Sequence, residues 1–356
     1  MFIVIWLAFF VFSLHTSIHP TENTSAPLRM EKFPSFEQKF PNSESPEKNW
    51  DVFADFLFWH AAEVGMIPNS IIAVTSNQNI HTTELDLRNL NFHWDLGFRV
   101  GGSYSDIGHD QWNLSLYYTW YKTEAKNSGS YPGFVGFPSG FPLTGTLSDA
   151  DFLSLSWLFA AKSYQAKWNL RYHIFDLEAD HEFTASQTLS FRPYLGLRGG
   201  WIHQDITIYS IYVDNASNSV PTQEKLQHHF WGIGPRCGLS STWWLATVKQ
   251  HSFALFEDLS GSFLWSFWTF SDALTITHLS DARLQLKNKN AGSLTLQNLL
   301  GLEWSIKVNH KTLLALRGAF EAQFWFDHLQ IFNTYNGRQH NALTLQGGTI
   351  DVCLHF

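Results

Sequence analysis

The chain has 356 residues, of which only 15% are charged and 16% are aromatic, and its formal net charge at pH 7 is −8. An apolar fraction of 44% excludes an intrinsically disordered chain, and two cysteines are too few for a disulfide scaffold. The negative charge argues against nucleic-acid binding, which needs a basic surface. The mean hydropathy of −0.14 is near neutral despite the many aromatic residues, which is typical of a chain whose apolar and polar residues alternate.

The N-terminal segment has the character of a targeting sequence. Residues 2–14 form an almost unbroken apolar run, FIVIWLAFFVFSL. The run is shorter than the roughly 20 residues that a transmembrane helix needs, and it matches the apolar region of a secretory signal peptide. We therefore predict a signal peptide over residues 1–19, with an N-terminal strand or a buried helix as the alternative. Residues 20–49 are rich in Pro, Ser, Glu and Asn, which predicts a flexible periplasmic linker or, alternatively, a plug inside a barrel.

From residue 50 onward the chain alternates with a period of two, which predicts β-strands. In residues 90–104, apolar side chains such as Phe92, Trp94 and Leu96 oppose polar ones such as His93 and Asp95. Similar alternation occurs in residues 111–120, 163–174, 293–308 and 314–327. These segments are longer than ordinary strands, which peak near five or six residues. An apolar outer face and a charged inner face over long strands are typical of a transmembrane β-barrel.

The fold class predicted from this pattern is an all-β, antiparallel transmembrane barrel over residues 50–356. We place ten strands at 51–60, 88–105, 111–122, 163–184, 188–207, 228–241, 253–269, 293–308, 312–327 and 341–356. Long extracellular loops then alternate with short periplasmic turns, and an even strand number places both termini on the periplasmic side. Twelve strands are the alternative, because residues 148–162 could form another strand pair or a short helix. An aromatic girdle is predicted at Trp112, Trp120 and Trp304.

The last strand carries a candidate signal for insertion into the outer membrane. Its apolar positions alternate with polar ones up to the C-terminal residue, and they are Ile350, Val352, Leu354 and Phe356. A final strand that ends in this way is similar to the C-terminal signal of bacterial outer-membrane barrels.

Six segments carry a resemblance to a known family. They lie at residues 54–59, 63–65, 94–101, 192–199, 232–236 and 321–325, with the sequences ADFLFW, EVG, WDLGFRVG, RPYLGLRG, GIGPR and EAQFW. They resemble the MOMP-like pore-forming outer-membrane proteins described in legionellae and chlamydia-related bacteria. The resemblance covers about residues 50–356, and it implies a β-barrel pore in the bacterial outer membrane without a catalytic motif.

Extending the alternation assigns a set of charged side chains to the lumen, where they could line an ion path. The predicted pore-lining residues are Arg99, Lys167, Arg171, Arg192, Arg198, Arg236, Glu303, Arg317 and Glu321. The excess of Arg over Lys suggests the hypothesis of a preference for anions, since guanidinium groups bind anions bidentately. The alternative is a ladder of salt bridges that fills a narrow interior, because barrels near eight strands are filled and open channels have 16–18 strands.

The function predicted from these features is porin-like passive diffusion of ions or small solutes, without enzymatic activity, cofactor or metal. The expected partners are outer-membrane lipid, the barrel-assembly machinery and a second copy of the chain. The first alternative is a non-conducting adhesin or structural surface protein. The second is a hydrolase at the barrel rim that uses an Asp–His pair drawn from His60, His81, Asp205, Asp214 and Asp327–His328. Cys237 and Cys353 fall on opposite faces of the predicted sheet, so no disulfide is expected.

Overall fold

The computed structural model describes residues 50–64, 70–77, 80–87, 90–107, 112–130, 159–214, 218–277, 281–309, 312–333 and 337–356. The predicted signal peptide, the predicted linker and residues 131–158 lie outside these ranges. Every regular element in the described ranges is a β-strand. None of the described residues belongs to a helix that is long and apolar enough to cross a membrane.

The described residues form fourteen strands. They are β1 (Trp50–Val64), β2 (Ser70–Asn77), β3 (Ile80–Leu87), β4 (Asn91–Phe92), β5 (Trp94–Ile107), β6 (Trp112–Ser130), β7 (Phe159–Asp180), β8 (Phe183–Ser186), β9 (Leu189–Asp214), β10 (Ser219–Val248), β11 (His251–Ile276), β12 (Ala282–Lys307), β13 (Leu313–Asn333) and β14 (Gly337–His355). Strands β2 and β3 pair with each other in a separate hairpin, and the short strands β4 and β8 pair with β6 and β9.

The ten long strands close into one antiparallel barrel. Their order around the ring is β1, β5, β6, β7, β9, β10, β11, β12, β13 and β14. The ring is complete because β1 pairs with β5 on one side and with β14 on the other, so that Phe56 lies opposite both Phe98 and Ile350. The predicted ten-stranded antiparallel barrel is therefore confirmed, and the twelve-stranded alternative is wrong.

An apolar band of outward side chains surrounds the periplasmic part of the barrel wall. Outward side chains such as Phe56, Leu96 and Leu302 are more than half exposed, which suits contact with lipid. On five neighbouring strands, β6, β7, β9, β10 and β11, the band ends at the same hydrogen-bonded row, whereas on β5 it continues beyond Phe98 of this row to Leu96 and Trp94. This girdle row consists of Phe98, Trp120, His173, Trp201, Trp231 and Phe267. Aromatic side chains at such a boundary are typical of a membrane–water interface.

The strands continue beyond the girdle row. In this part the outward side chains are mostly polar and the inward side chains are mostly apolar. Strand β9 extends to Asp214 and β10 begins at Ser219, so most of the long loop predicted over 208–227 is β-structure. In this part, outward residues such as Lys167 and Gln223 are polar, while inward residues such as Trp168 are buried. Water surrounds the barrel here, so the apolar face turns inward as it does in a soluble sheet.

Candidate functional site

The barrel lumen begins at the periplasmic end with a polar basin of about 150 Å³. Ser103 donates a hydrogen bond to Asp51 Oδ2 at 2.7 Å, and His355 Nδ1 lies 2.7 Å from Asp51 Oδ1. Pairing of β1 with both β5 and β14 places these three residues side by side. The charged groups that line the basin are Asp51, Asp55, Asp176, Glu178, Asp258, Asp351, Arg99, Arg192, Arg236, Arg317 and His355.

Deeper in the lumen, charged side chains bind one another across the barrel. Arg99 donates to Asp55 Oδ2 and to Glu321 Oε1, each at 2.8 Å. Glu321 has no exposed surface, and it also accepts hydrogen bonds from Gln297 and Gln323 at 2.7 Å. A buried carboxylate of this kind is stable only because its oxygens are satisfied by several donors.

Gln297 joins this cluster to a second group of charges. Its Oε1 accepts hydrogen bonds from Arg198 at 2.7 Å and from Arg236 at 3.0 Å, while its Nε2 binds Glu321. Arg198 in turn forms a bidentate pair with Asp176 at 2.7 and 2.8 Å. We call the connected residues the charged lattice; they are Asp55, Arg99, Asp176, Glu178, Arg198, Arg236, Gln297 and Glu321. Since members come from seven strands, the lattice spans the lumen.

Above the lattice, on the side away from the termini, large apolar side chains fill the lumen. This apolar layer contains Trp59, Trp168, Tyr172, Phe230, Leu264 and Trp325, and none of them is more than 1% exposed. Their rings contact one another across the barrel, with the Tyr172 and Trp325 ring centroids 5.8 Å apart and those of Phe230 and Trp325 6.0 Å apart. Because these described side chains have almost no exposed surface, the layer resembles a packed protein interior rather than a water-filled channel.

One hydrogen bond crosses the full width of the barrel at this level. The Tyr172 hydroxyl donates to Gln323 Oε1 at 2.9 Å. Tyr172 lies on β7 and Gln323 on β13, which are five strands apart in either direction around the ring. The contact therefore joins diametrically opposite walls.

Two buried histidines lie beyond the apolar layer. His228 and His328 are 2% and 0% exposed, and their ring centroids are 5.5 Å apart. Neither ring has a hydrogen-bond partner among the described residues. No group of three or more metal-ligating side chains occurs in the described part of the chain, so these histidines do not form a recognisable metal centre there.

A closed barrel with an apolar band and a charged lumen agrees with what the family comparison finds. Residues 42–356 match the family model described as Legionella pneumophila major outer membrane protein precursor. The chain belongs to this family. The membership places the protein in the bacterial outer membrane, as the sequence predicts. Among curated proteins, no significant match is found.

Solved barrels that resemble this member of the major outer membrane protein family share little sequence with it. The outer membrane protease OmpT from Escherichia coli is 10% identical with a TM-score of 0.33, covering 88% of this chain and 99% of its own. A major outer membrane protein from Thermus thermophilus is 11% identical with a TM-score of 0.28, covering 72% and 98%. A Pseudomonas aeruginosa FadL homologue is 7% identical with a TM-score of 0.28, covering 87% and 90%. Values this low carry no information about function.

Seven of the nine predicted pore-lining residues of this family member face the interior. They are Arg99, Arg192, Arg198, Arg236, Glu303, Arg317 and Glu321. The assignment of Lys167 and Arg171 to the lumen is wrong, because their side chains are 40% and 48% exposed on the outer face of β7. The alternation separates two faces correctly, but on this part of β7 the apolar face points inward because water lies outside.

The lumenal arginines are matched by carboxylates, which removes the basis for the predicted anion preference. Arg317 donates a hydrogen bond to Glu303 at 2.8 Å and lies 3.6 Å from Asp351. Arg99 and Arg198 likewise bind carboxylates, as described above. The lining of the basin contains six carboxylates against four arginines. In the lining of the basin, carboxylates therefore outnumber arginines.

The predicted rim hydrolase finds no support in the described side chains. Asp205 binds Arg171 at 3.0 Å and Gln227 at 3.3 Å instead of a histidine. Asp327 is exposed at a positive φ of 50° in an irregular part of β13, whereas His328 beside it points inward. The side chains of His81 and Asp214 lie outside the described part.

The remaining sequence-predicted residues lie on the outer surface. Trp112 and Trp304 are exposed near the periplasmic ends of β6 and β12, and Trp120 belongs to the girdle row. In the last strand, Ile350, Leu354 and Phe356 are exposed and Val352 is half-buried. Their role as an insertion signal stays a prediction. Cys237 is exposed on the outside and Cys353 is buried inside, both as free thiols.

Sequence reasoning missed the residues that close the lumen. The alternation predicts that Tyr172 and Trp168 face lipid, because they are aromatic and alternate with polar residues. The segment itself holds no signal for the opposite assignment, because Lys167 and Arg171 suit a wet lumen as well as a wet outer face.

Proposed function

We propose that this protein is a closed outer-membrane barrel with a structural role at the cell surface. The observation that carries the proposal is the Tyr172–Gln323 hydrogen bond, which joins opposite walls of the barrel within the apolar layer. A continuous water-filled path requires polar surface along its whole length, and the apolar layer interrupts it. This corresponds to the non-conducting alternative rather than to the leading sequence prediction.

The charged lattice, which lies on the periplasmic side of the apolar layer, also supports the proposal of a closed barrel. An ion that crossed it would have to separate pairs such as Arg198–Asp176 or Arg99–Glu321, whose side chains are at most 11% exposed. Breaking one partner out of a buried ion pair typically costs about 3–5 kcal/mol. Ten strands are also close to the size at which side chains fill a barrel.

Porin-like passive diffusion is the second candidate function, and the periplasmic basin favours it. The basin is polar, open to the periplasmic end and lined by charged groups. Conduction would require the apolar layer to move aside. Because carboxylates outnumber arginines in the basin, a pore formed in this way would prefer cations.

Conductance in planar bilayers tests the proposal. The wild-type protein should insert without conductance steps. A variant with Trp59→Ala, Tyr172→Ala and Trp325→Ala empties the apolar layer and should show steps. The matched control removes the same residue types from the outer surface through Trp201→Ala, Tyr209→Ala and Trp231→Ala, and it should stay silent. Stable steps from wild-type protein would contradict the proposal, and a reversal potential favouring cations would then support porin-like diffusion.

A further inference from the structure

The outer surface directly above the girdle row is basic on one side of the barrel. The next hydrogen-bonded row across β6, β7, β9 and β10 contains Lys122, Arg171, His203 and His229. Two rows further out, the same strands carry Lys126, Lys167 and Lys225. We call the five lysine and arginine side chains of these two rows the basic patch, with His203 and His229 beside them. The whole chain has a net charge of −8, so the patch is a local reversal of charge.

Carboxylates on this surface compensate only part of the positive charge. Glu124 binds Lys126 at 2.5 Å and Lys167 at 2.9 Å, and these hydrogen bonds lower the pKa of Glu124 to about 2. Asp205 binds Arg171. Lys122 and Lys225 are exposed and have no carboxylate partner among the described residues.

The register places like charges directly opposite each other. Lys122 faces Arg171, and Lys126 faces Lys167 across the β6–β7 pair. Such cross-strand pairs repel each other and destabilise a sheet. Glu124 binds both lysines of the Lys126–Lys167 pair and so reduces their repulsion. In the Lys122–Arg171 pair only Arg171 has a carboxylate partner among the described residues. An anion bound between Lys122 and Arg171 would offset this repulsion.

The described parts of β1 and β14 lack this feature. On β1 and β14, the described outward side chains beyond the apolar band are those of His60, Ala62, Thr344 and Gln346. None of them carries a fixed positive charge. Arg283, Lys287 and Lys289 are exposed on β12 beyond the apolar band, so the positive charge is missing from β1 and β14 but is not confined to the basic patch.

We propose that the basic patch binds the phosphorylated headgroup of a glycolipid in the outer leaflet, with the acyl chains of the lipid on the aromatic girdle below. Two neighbouring surfaces match the two parts of such a molecule. The cations match its phosphates, and Trp201, Trp231 and Phe267 form the apolar floor directly beneath them. Basic residues close to a membrane surface attract anionic headgroups additively. This proposal does not depend on whether the lumen conducts.

The test is the affinity of the purified full-length protein for diphosphoryl lipid A, measured by native mass spectrometry in detergent. The patch variant carries Lys122→Gln and Lys225→Gln, which removes the two unmatched cations. The charge-matched control carries Lys249→Asn and Lys307→Gln at the periplasmic end. At about 1 kcal/mol per lysine, the patch variant should bind roughly tenfold to thirtyfold more weakly, and the control should bind like wild type.

Two further arms separate the proposal from unspecific effects. Dephosphorylated lipid A should bind wild type and patch variant equally weakly. A Lys122→Arg, Lys225→Arg variant should restore tight binding, and heat-modifiable mobility should verify that each variant is folded. Equal affinity of wild type and patch variant for diphosphoryl lipid A would overturn the proposal. It would equally be overturned if the periplasmic control lost as much affinity as the patch variant.

Discussion

Tyr172 and Gln323 lie on opposite walls of the barrel and are joined by a hydrogen bond of 2.9 Å. The bond lies within a layer of side chains that have almost no exposed surface. A barrel wide enough to conduct would hold these two residues apart, so the contact itself measures how narrow the lumen is. The proposed closed barrel rests on this relationship and on the packing around it.

Removing this hydrogen bond should destabilise the barrel measurably. Tyr172→Phe leaves the buried Gln323 carbonyl with a long contact of 3.5 Å from Trp325 as its remaining donor. We expect the free energy of unfolding to fall by about 1–2 kcal/mol. Tyr209→Phe is the control, because the Tyr209 hydroxyl accepts a hydrogen bond from Gln223 in an exposed position. Urea unfolding in lipid vesicles gives both values, and an equal loss for both variants would contradict the role of the crossing bond.

The buried and exposed ion pairs on neighbouring strands should differ strongly in energy. Arg198→Met leaves Asp176 buried without its bidentate partner, and we expect a loss of about 3–5 kcal/mol. Arg171→Met removes an exposed pair with Asp205, for which we expect about 0–1 kcal/mol. Both variants remove an arginine charge, so the same unfolding experiment compares them directly. Similar losses would show that the lattice is hydrated rather than packed.

Gly238 should be required because an aromatic ring lies against it. A Cβ at this position would overlap the Tyr194 ring, whose hydroxyl donates to Asp258 at 2.9 Å. We expect Gly238→Ala to cost about 1–3 kcal/mol through the displaced ring. Gly348→Ala should be neutral or slightly stabilising, because nothing lies within 4 Å of its added Cβ. Thermal unfolding of both variants provides the comparison, and a neutral Gly238→Ala would refute the argument.

The position of the lipid band can be tested on a single strand. Leu302 of β12 is 59% exposed within the apolar band, whereas Gln285 is exposed on the same strand beyond the band. Leu302→Arg should cost about 2–4 kcal/mol, and Gln285→Arg about 0–1 kcal/mol. Unfolding in vesicles measures both. Equal costs would mean that the membrane boundary lies elsewhere.

The barrel could be predicted from sequence because each strand shows the alternation of apolar and polar residues on its own. The alternation around Phe98 and Arg99, for example, assigns both faces correctly without knowledge of any other strand. The closure of the lumen could not be predicted in the same way. The Arg198–Gln297 contact joins residues 99 positions apart, and only the ring order brings them together.

The inverted face of β7 shows a second limit. Period two separates Tyr172 from Arg171, but it does not say which of the two points inward. That choice depends on whether lipid or water lies outside at this height. The length of the strands beyond the girdle row decides it, and this length follows from pairing between strands rather than from any one segment.

The most direct test of the closed lumen is access to the basin from outside the cell. Ser103 lines the basin, so Ser103→Cys in a Cys237→Ala, Cys353→Ala background reports on that access. Gln223→Cys in the same background is the accessible control on the outer surface. A membrane-impermeant maleimide should label Gln223→Cys in intact cells, and should label Ser103→Cys only after the outer membrane has been permeabilised. Labelling of Ser103→Cys in intact cells at the rate of the control would contradict the closed barrel.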